Sequence, residues 1–226
     1  LEIVEGIHNI PGLRGANVYL VIDEETLTVV DTGMPGNESK IIDYIKRIGM
    51  DPSQVKNIVL THSDIDHSGS AAKLKEMTNA KVMIHEADAP RLSEEKELKK
   101  VKGFFGVVMK VAGIMIKFTP VKPDVTLKNL DKVGNMTVLH TPGHTEGSIC
   151  LYITGKAIFA GDLVRVNNNK MLELPPKFVN LDMDMLKVSL KKVSELEYSV
   201  LLPGHGPPLT QKASDVVKEF VAREIK

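Results

Sequence analysis

Six consecutive residues, His62-Ser63-Asp64-Ile65-Asp66-His67, stand between an apolar, β-branched run at 56–61 (KNIVLT) and a small-residue helical stretch at 68–77 (SGSAAKLKEM). Two imidazoles and two carboxylates so close together are not what a buried core selects. The flanking pattern reads as strand, loop and helix, which puts the cluster at a strand's C-terminal end, where open α/β sheets collect ligands. The same arrangement recurs three times. A strand at 136–140 leads into TPGHTEG with His144, one at 156–160 leads into AGDL with Asp162, and one at 199–202 leads into PGHGPP with His205. Gly143, Gly161, Gly204 and Gly206 sit beside these residues and permit tight turns and close backbone approach. Seven ligand-type side chains from four strand ends exceed what one ion needs. They point to a two-metal site, and such sites usually activate water for hydrolysis.

The rest of the chain bounds this reading. Its 226 residues, 42% of them hydrophobic, suffice for one sizeable domain, expected to span 1–226. Lys+Arg and Asp+Glu both number 29, so the net charge is zero and gives no electrostatic case for a nucleic-acid or acidic-membrane partner. Cys150, in the apolar stretch SICLYI, reads as a buried reduced thiol rather than a nucleophile or disulfide partner. No secretory signal or run of eighteen uncharged apolar residues is seen, so the expected location is cytoplasmic. The sequence begins at Leu1 without Met, and earlier residues are not part of it. The first half should carry strands near 2–10, 17–22, 27–31, 57–60 and 81–85 with helices near 37–48 and 68–77. The second should carry strands near 137–140, 148–153, 157–160 and 200–202 with helices near 184–195 and 211–224. This mixture predicts an α/β (α+β) fold of two mixed sheets packed face to face with helices outside.

The chain resembles the metallo-β-lactamase-fold superfamily, whose signature is HxHxDH followed by a separate His, an Asp and a final His. The likeness runs through VVDTG at 29–33, the cluster after KNIVLT, TPGHTEGS, FAGDL and LPGHG, in that order. It implies a four-layer αββα sandwich with metals at one edge. It also implies that His62, Asp64 and His144 hold a first ion and Asp66, His67 and His205 a second, with Asp162 bridging. Asp66 would further orient the attacking hydroxide. Asp31 would hydrogen-bond a ligand histidine, or else serve as a turn residue before Gly33. The branch suggested is glyoxalase II-like, but Asp64 stands where most members carry His, giving HxDxDH and partly resembling flavodiiron proteins. A carboxylate there adds negative charge at the first ion and favours harder metals. Zinc is the first expectation, with iron or manganese as the others.

The implied function is a dinuclear-metal hydrolase using a metal-bridging hydroxide on an ester, thioester, lactone or phosphodiester. A di-iron redox protein is the alternative, and a non-catalytic metal-binding protein the third. Few residues follow His205, which sets aside the helical domain of full-length glyoxalase II, and neither a flavodoxin-like domain nor a large RNA-processing domain is expected. The partner is then a small molecule, with no nucleic acid or membrane; homo-oligomerisation is left open. His140, at the start of HTPGHT, is expected to pack or hydrogen-bond near the site. Arg165 is a candidate for a substrate anion, or a solvated loop residue. His8 and His85 read as ordinary edge or strand-end residues. The segment 91–118 passes from RLSEEKELKK into GFFGVVMKVAGIMIKF, where Phe104, Val108, Val111 and Met115 share helical spacing. It suggests an apolar lid for a hydrophobic substrate portion, or a helix completing the core or a dimer interface.

Overall fold

Strands β4 (Thr26–Val30) and β5 (Val55–Val59) carry mostly β-branched and apolar residues because both of their faces are buried toward their C-terminal ends. The register places Leu20, Val29, Ile58 and Val82 in one cross-strand row and Tyr19, Val30 and Val59 in the next. All seven are at most 2% exposed. A strand with no solvent face has no reason to alternate apolar and polar residues. The computed structural model that shows this describes residues 1–24, 26–94 and 119–225, in two units, Leu1–Thr126 and Leu127–Lys226.

The first unit is built on a seven-stranded sheet in chain order. β1 (Glu2–Val4), β2 (Ile7–Asn9), β3 (Tyr19–Asp23) and β4 are antiparallel, while β4, β5 and β6 (Lys81–His85) are parallel, and β7 (Val125–Leu127) closes the edge. The parallel pairs need crossovers. α1 (Glu38–Arg47) supplies the first, while α2 (Ile65–Ser68) and α3 (Ala71–Thr78) supply the second. Ile41 and Ile45 of α1 and Leu74 of α3 share one core with Leu20, Val29, Ile58 and Val82. The strand expected over 2–10 is a hairpin instead, turned at Gly6 (φ +73°). The helix expected at 68–77 is α3, which begins at Ala71; α2 precedes it, and the two are parted where the Gly69 backbone passes so close to Pro35 that a Cβ would lie 2.3 Å from the proline Cδ. α4 (Ala89–Leu92) follows β6. From residue 95 onward, the segment expected as a lid lies outside the described residues.

The second unit holds a five-stranded sheet ordered β14-β11-β10-β9-β8. β8 (Lys132–Val133), β9 (Met136–His140), β10 (Ile149–Ile153) and β11 (Gly155–Gly161) form an antiparallel meander, and β14 (Tyr198–Pro203) joins β11 in parallel. β12 (Arg165–Val166) and β13 (Leu172–Glu173) pair separately. Asp182 caps α5 (Met183–Ser194) by accepting from the N–H groups of Asp184 and Met185. Leu186, Leu190 and Val193 of this helix, with Val217, Phe220 and Val221 of α6 (Ala213–Glu224), pack in one core with Cys150, Ile158 and Leu201. The mixed α/β class is thus as expected. Among the described residues no helix is long and apolar enough to cross a membrane. In each unit a parallel pair, β4–β5 and β11–β14, brings two strand C-termini side by side, and the polar loops leave from there.

Candidate metal centre

In the first unit the loop after β5 carries His62, Asp64, Asp66 and His67, and their support comes from the end of β4. Asp31, 2% exposed with φ +59°, turns its carboxylate onto that loop. The Thr61 N–H donates to Oδ1 (2.8 Å) and the Thr61 hydroxyl donates to Oδ2 (2.8 Å). His67 Nδ1 lies 2.8 Å from Oδ2 and donates there. The Thr61 hydroxyl has already given up its one proton, so at 3.1 Å from His62 Nδ1 it acts as the acceptor. Both imidazoles are thereby held as Nδ1–H tautomers presenting the Nε2 lone pair, the form a metal ion needs. The rings lie 4.0 Å apart between centroids. The backbone is fixed as firmly. The Thr32 N–H and hydroxyl both donate to the His67 carbonyl (2.6 and 2.9 Å), and the Ala16 N–H donates to the Asp66 carbonyl (3.0 Å).

The second unit repeats the device with different residues. His144, in the loop between β9 and β10, donates from Nδ1 to Asn180 Oδ1 at 2.8 Å. The Asn180 amide is oriented by its own NH2 group, which donates to the carbonyls of Pro175 (3.2 Å) and Pro176 (2.9 Å). Asp162, just past β11, places Oδ2 at 3.6 Å from His144 Nε2 and Oδ1 at 3.4 Å from His205 Nε2. His205 follows β14, and its carbonyl accepts from the Val166 N–H (3.2 Å). Gly206 next to it has φ +92° and lies against the Val166 carbonyl, leaving no space for a Cβ.

These separations fit metal ligands. Two ligands bound at ordinary lengths to one tetrahedral ion lie about 3.4 Å apart, close to the spacing of Asp162 from each imidazole. His62 Nε2 and Asp64 Oδ2 are somewhat wider, at 3.8 Å. Donor atoms of His62 and Asp64, of Asp66 and His67, and of His62 and His67 each come within 4.8 Å of one another. The donor set, imidazoles and carboxylates without thiolate, suits zinc, iron or manganese.

Other polar residues are used elsewhere. His8 Nδ1 meets the Tyr44 hydroxyl at 3.0 Å, and burial lowers its pKa. His85 accepts from the Ala87 N–H through Nδ1 (3.3 Å). His140 donates from Nε2 to the Glu146 carbonyl (2.9 Å), bracing the loop that carries His144. Arg165 lies in β12, opposite Glu173. Cys150 is buried, and burial pushes its thiol up to about 12, so thiolate is negligible near neutral pH. Sequence reasoning missed Thr61, Asn180 and a buried pair, Asp88 and Arg91, of which Asp88 accepts from the Ser63 N–H at 2.8 Å. Asp88 and Asn180 meet the loops they support from 25 and 36 residues away, and only the adjacency of Thr61 to His62 could have drawn notice.

The model of the metallo-beta-lactamase superfamily matches residues 11–205. The chain belongs to the metallo-β-lactamase superfamily. Among curated members it is 27% identical to a probable metallo-hydrolase of Bacillus subtilis, over 93% of this chain and 88% of that protein. It is 24% identical to another probable metallo-hydrolase, from Methanocaldococcus jannaschii, over 91% of this chain and 95% of the relative. It is similar in fold to a subclass B3 metallo-β-lactamase of Bradyrhizobium japonicum, with a TM-score of 0.73, 21% identity and coverage of 98% of this chain and 89% of the other. A class B3 di-zinc metallo-β-lactamase from an Alaskan soil metagenome gives a TM-score of 0.73 at 20% identity, covering 99% and 90%. The metallo-β-lactamase fold expected from the motifs is therefore the fold of this chain.

Two outcomes follow from this geometry. Asn180→Ala, which removes the acceptor behind His144, should weaken metal binding about 10- to 100-fold, read by competition with a chromogenic chelator; unchanged affinity would show that the contact does not position the ring. Cys150 should resist a thiol reagent in the native protein and react once the chain is unfolded in urea, whereas rapid native labelling would contradict its burial.

Proposed function

We propose that this superfamily member is a dinuclear-metal hydrolase. His62, Asp64 and His144 hold one ion, Asp66, His67 and His205 the other, and Asp162 serves both. The observation that carries this reading is the Asp162 carboxylate, which offers one oxygen beside His144 and the other beside His205. A carboxylate shared by two ions divides its oxygens in this way. The closeness of Asp64 to His62 and of Asp66 to His67 fits the same division, in which the two imidazoles face neighbouring ions. So does the superfamily match, whose span of residues 11–205 includes all seven donors.

When bound, two divalent ions lower the pKa of water from about 15.7 towards roughly 7 and polarise an electrophilic carbonyl or phosphorus centre. The chain's own residues set the conditions. Asp31, Thr61 and Asn180 keep the Nδ1 protons of His67, His62 and His144, so that loading displaces no proton from the Nε2 atoms. Asp66 both holds an ion and orients the attacking oxygen. Asp64 adds a negative charge to the first position, lowering the net charge there and making water less acidic than a third imidazole would. Substrates whose leaving groups depart with little protonation suit such a site, which selects a thioester, lactone or activated phosphodiester, with simple esters less favoured. The residues 1–226 act as one functional domain on a small molecule. The di-iron redox alternative rests on Asp64.

Asp162→Ala should lower both metal occupancies together in elemental analysis. It should also reduce turnover of whichever thioester, lactone or phosphodiester the native protein hydrolyses by at least about 100-fold, the upper end of the effect of losing a ligand's supporting partner. Retention of one ion at full occupancy would remove the bridging role.

A further inference from the structure

We propose that Asp88 is a positioning residue for the first metal position alone, acting through the backbone of Ser63. The inference rests on the two-ion reading above. Asp88 is fully buried at the N-terminus of α4, and its carboxylate Oδ2 accepts from the Ser63 N–H at 2.8 Å. Ser63 lies between His62 and Asp64, the two donors that the first unit gives to that position. The far side of the same residue is held as well, because the Ser68 hydroxyl lies 3.1 Å from both the Ser63 and Asp64 carbonyls and donates to this pair. The backbone of the front of the loop, residues 62–64, is therefore tied by Asp88 and Ser68, beside the Thr61 hydroxyl on the His62 ring and the His67 and Ser68 N–H groups on the Asp64 carbonyl. Its rear hangs from other groups: Thr32 on the His67 carbonyl, Asp31 on the His67 ring, and Ala16 on the Asp66 carbonyl.

A fully buried carboxylate needs a compensating charge. Arg91, three residues on and 6% exposed, places Nη1 at 3.4 Å from Asp88 Oδ1. The pair thus divides its two oxygens, one for Arg91 and one for the metal loop. A charged acceptor makes a shorter and stronger bond to a backbone N–H than a neutral one does, so the Ser63 peptide is fixed more tightly than a neutral side chain would fix it. Because the Asp88 bond is made at Ser63 while Asp66 and His67 keep supports of their own, its loss should loosen His62 and Asp64 and leave Asp66 and His67 in place.

Removing Asp88 alone would leave Arg91 buried and uncompensated. The test therefore uses Asp88→Ala with Arg91→Met, checked for folding by circular dichroism and titrated with cobalt(II) alone. The native protein should bind two ions. The double variant should show one binding event weakened about 10- to 100-fold and the other unchanged, and its remaining absorption spectrum should match that of His144→Ala rather than His205→Ala. Asp88→Asn with Arg91→Met, which keeps an acceptor for Ser63, should restore both events. Ser63→Pro deletes the same hydrogen bond from the loop side with the ion pair intact, and it should reproduce the selective loss even if the first variant fails to fold. Equal weakening of both events, or two native-strength events in either the Ala/Met or the Pro variant, would overturn the proposal. A native protein that binds no cobalt would instead overturn the two-ion reading itself.

Discussion

The Asp31 carboxylate is withdrawn from water at 2% exposure, in a left-handed backbone conformation that a non-glycine residue adopts at a cost of about 1–3 kcal/mol. Three donors converge on it, the Thr61 amide, the Thr61 hydroxyl and His67 Nδ1. Through them one buried charge sets the tautomer of His67 directly and of His62 through a hydroxyl. The end of β4 and the end of β5 are consequently locked to each other, and the two histidine rings that bracket the His62–His67 loop take their orientation from that lock. A site of this kind depends on imidazoles that are aimed before any ion arrives, because an unfixed ring must lose rotamer freedom on binding.

The supports behind the histidines differ in charge. Asp31 stands behind His67, whereas His62 and His144 rest on the neutral groups of Thr61 and Asn180. A carboxylate partner makes the ring a stronger base than an amide or hydroxyl does. On the proposed division, the second position gains electron density from behind its ligand, through Asp31. The first gains it in front, from Asp64. With Asp64 each position carries one carboxylate of its own beside two imidazoles, and Asp31 behind His67 is the asymmetry that remains.

Much of this was legible in the sequence, for a physical reason. Strand runs at 27–31, 57–60, 81–85 and 157–160 were recognisable because strands buried on both faces become continuous apolar runs, and the loop donors stood out because nothing in a core selects them. The sequence could not show the hairpin at Gly6 or the break at Gly69, since both depend on a turn or a backbone approach rather than on periodicity. Nor could it show the short strands β7, β8, β12 and β13, which have too few residues for a period to register. The supporting residues were hidden more deeply. An Asn after a pair of prolines and an Asp before a short helix look like turn residues until the fold brings Asn180 to His144 and Asp88 to Ser63.

The central claim, two ions shared among seven donors, is tested most directly by elemental analysis of protein purified without chelator, paired with an absorption spectrum. The account predicts two divalent ions per chain with no oxo-bridged iron band. One ion or none per chain would contradict the division of seven donors between two positions, and two irons with a bridged-iron band would put redox chemistry in place of hydrolysis.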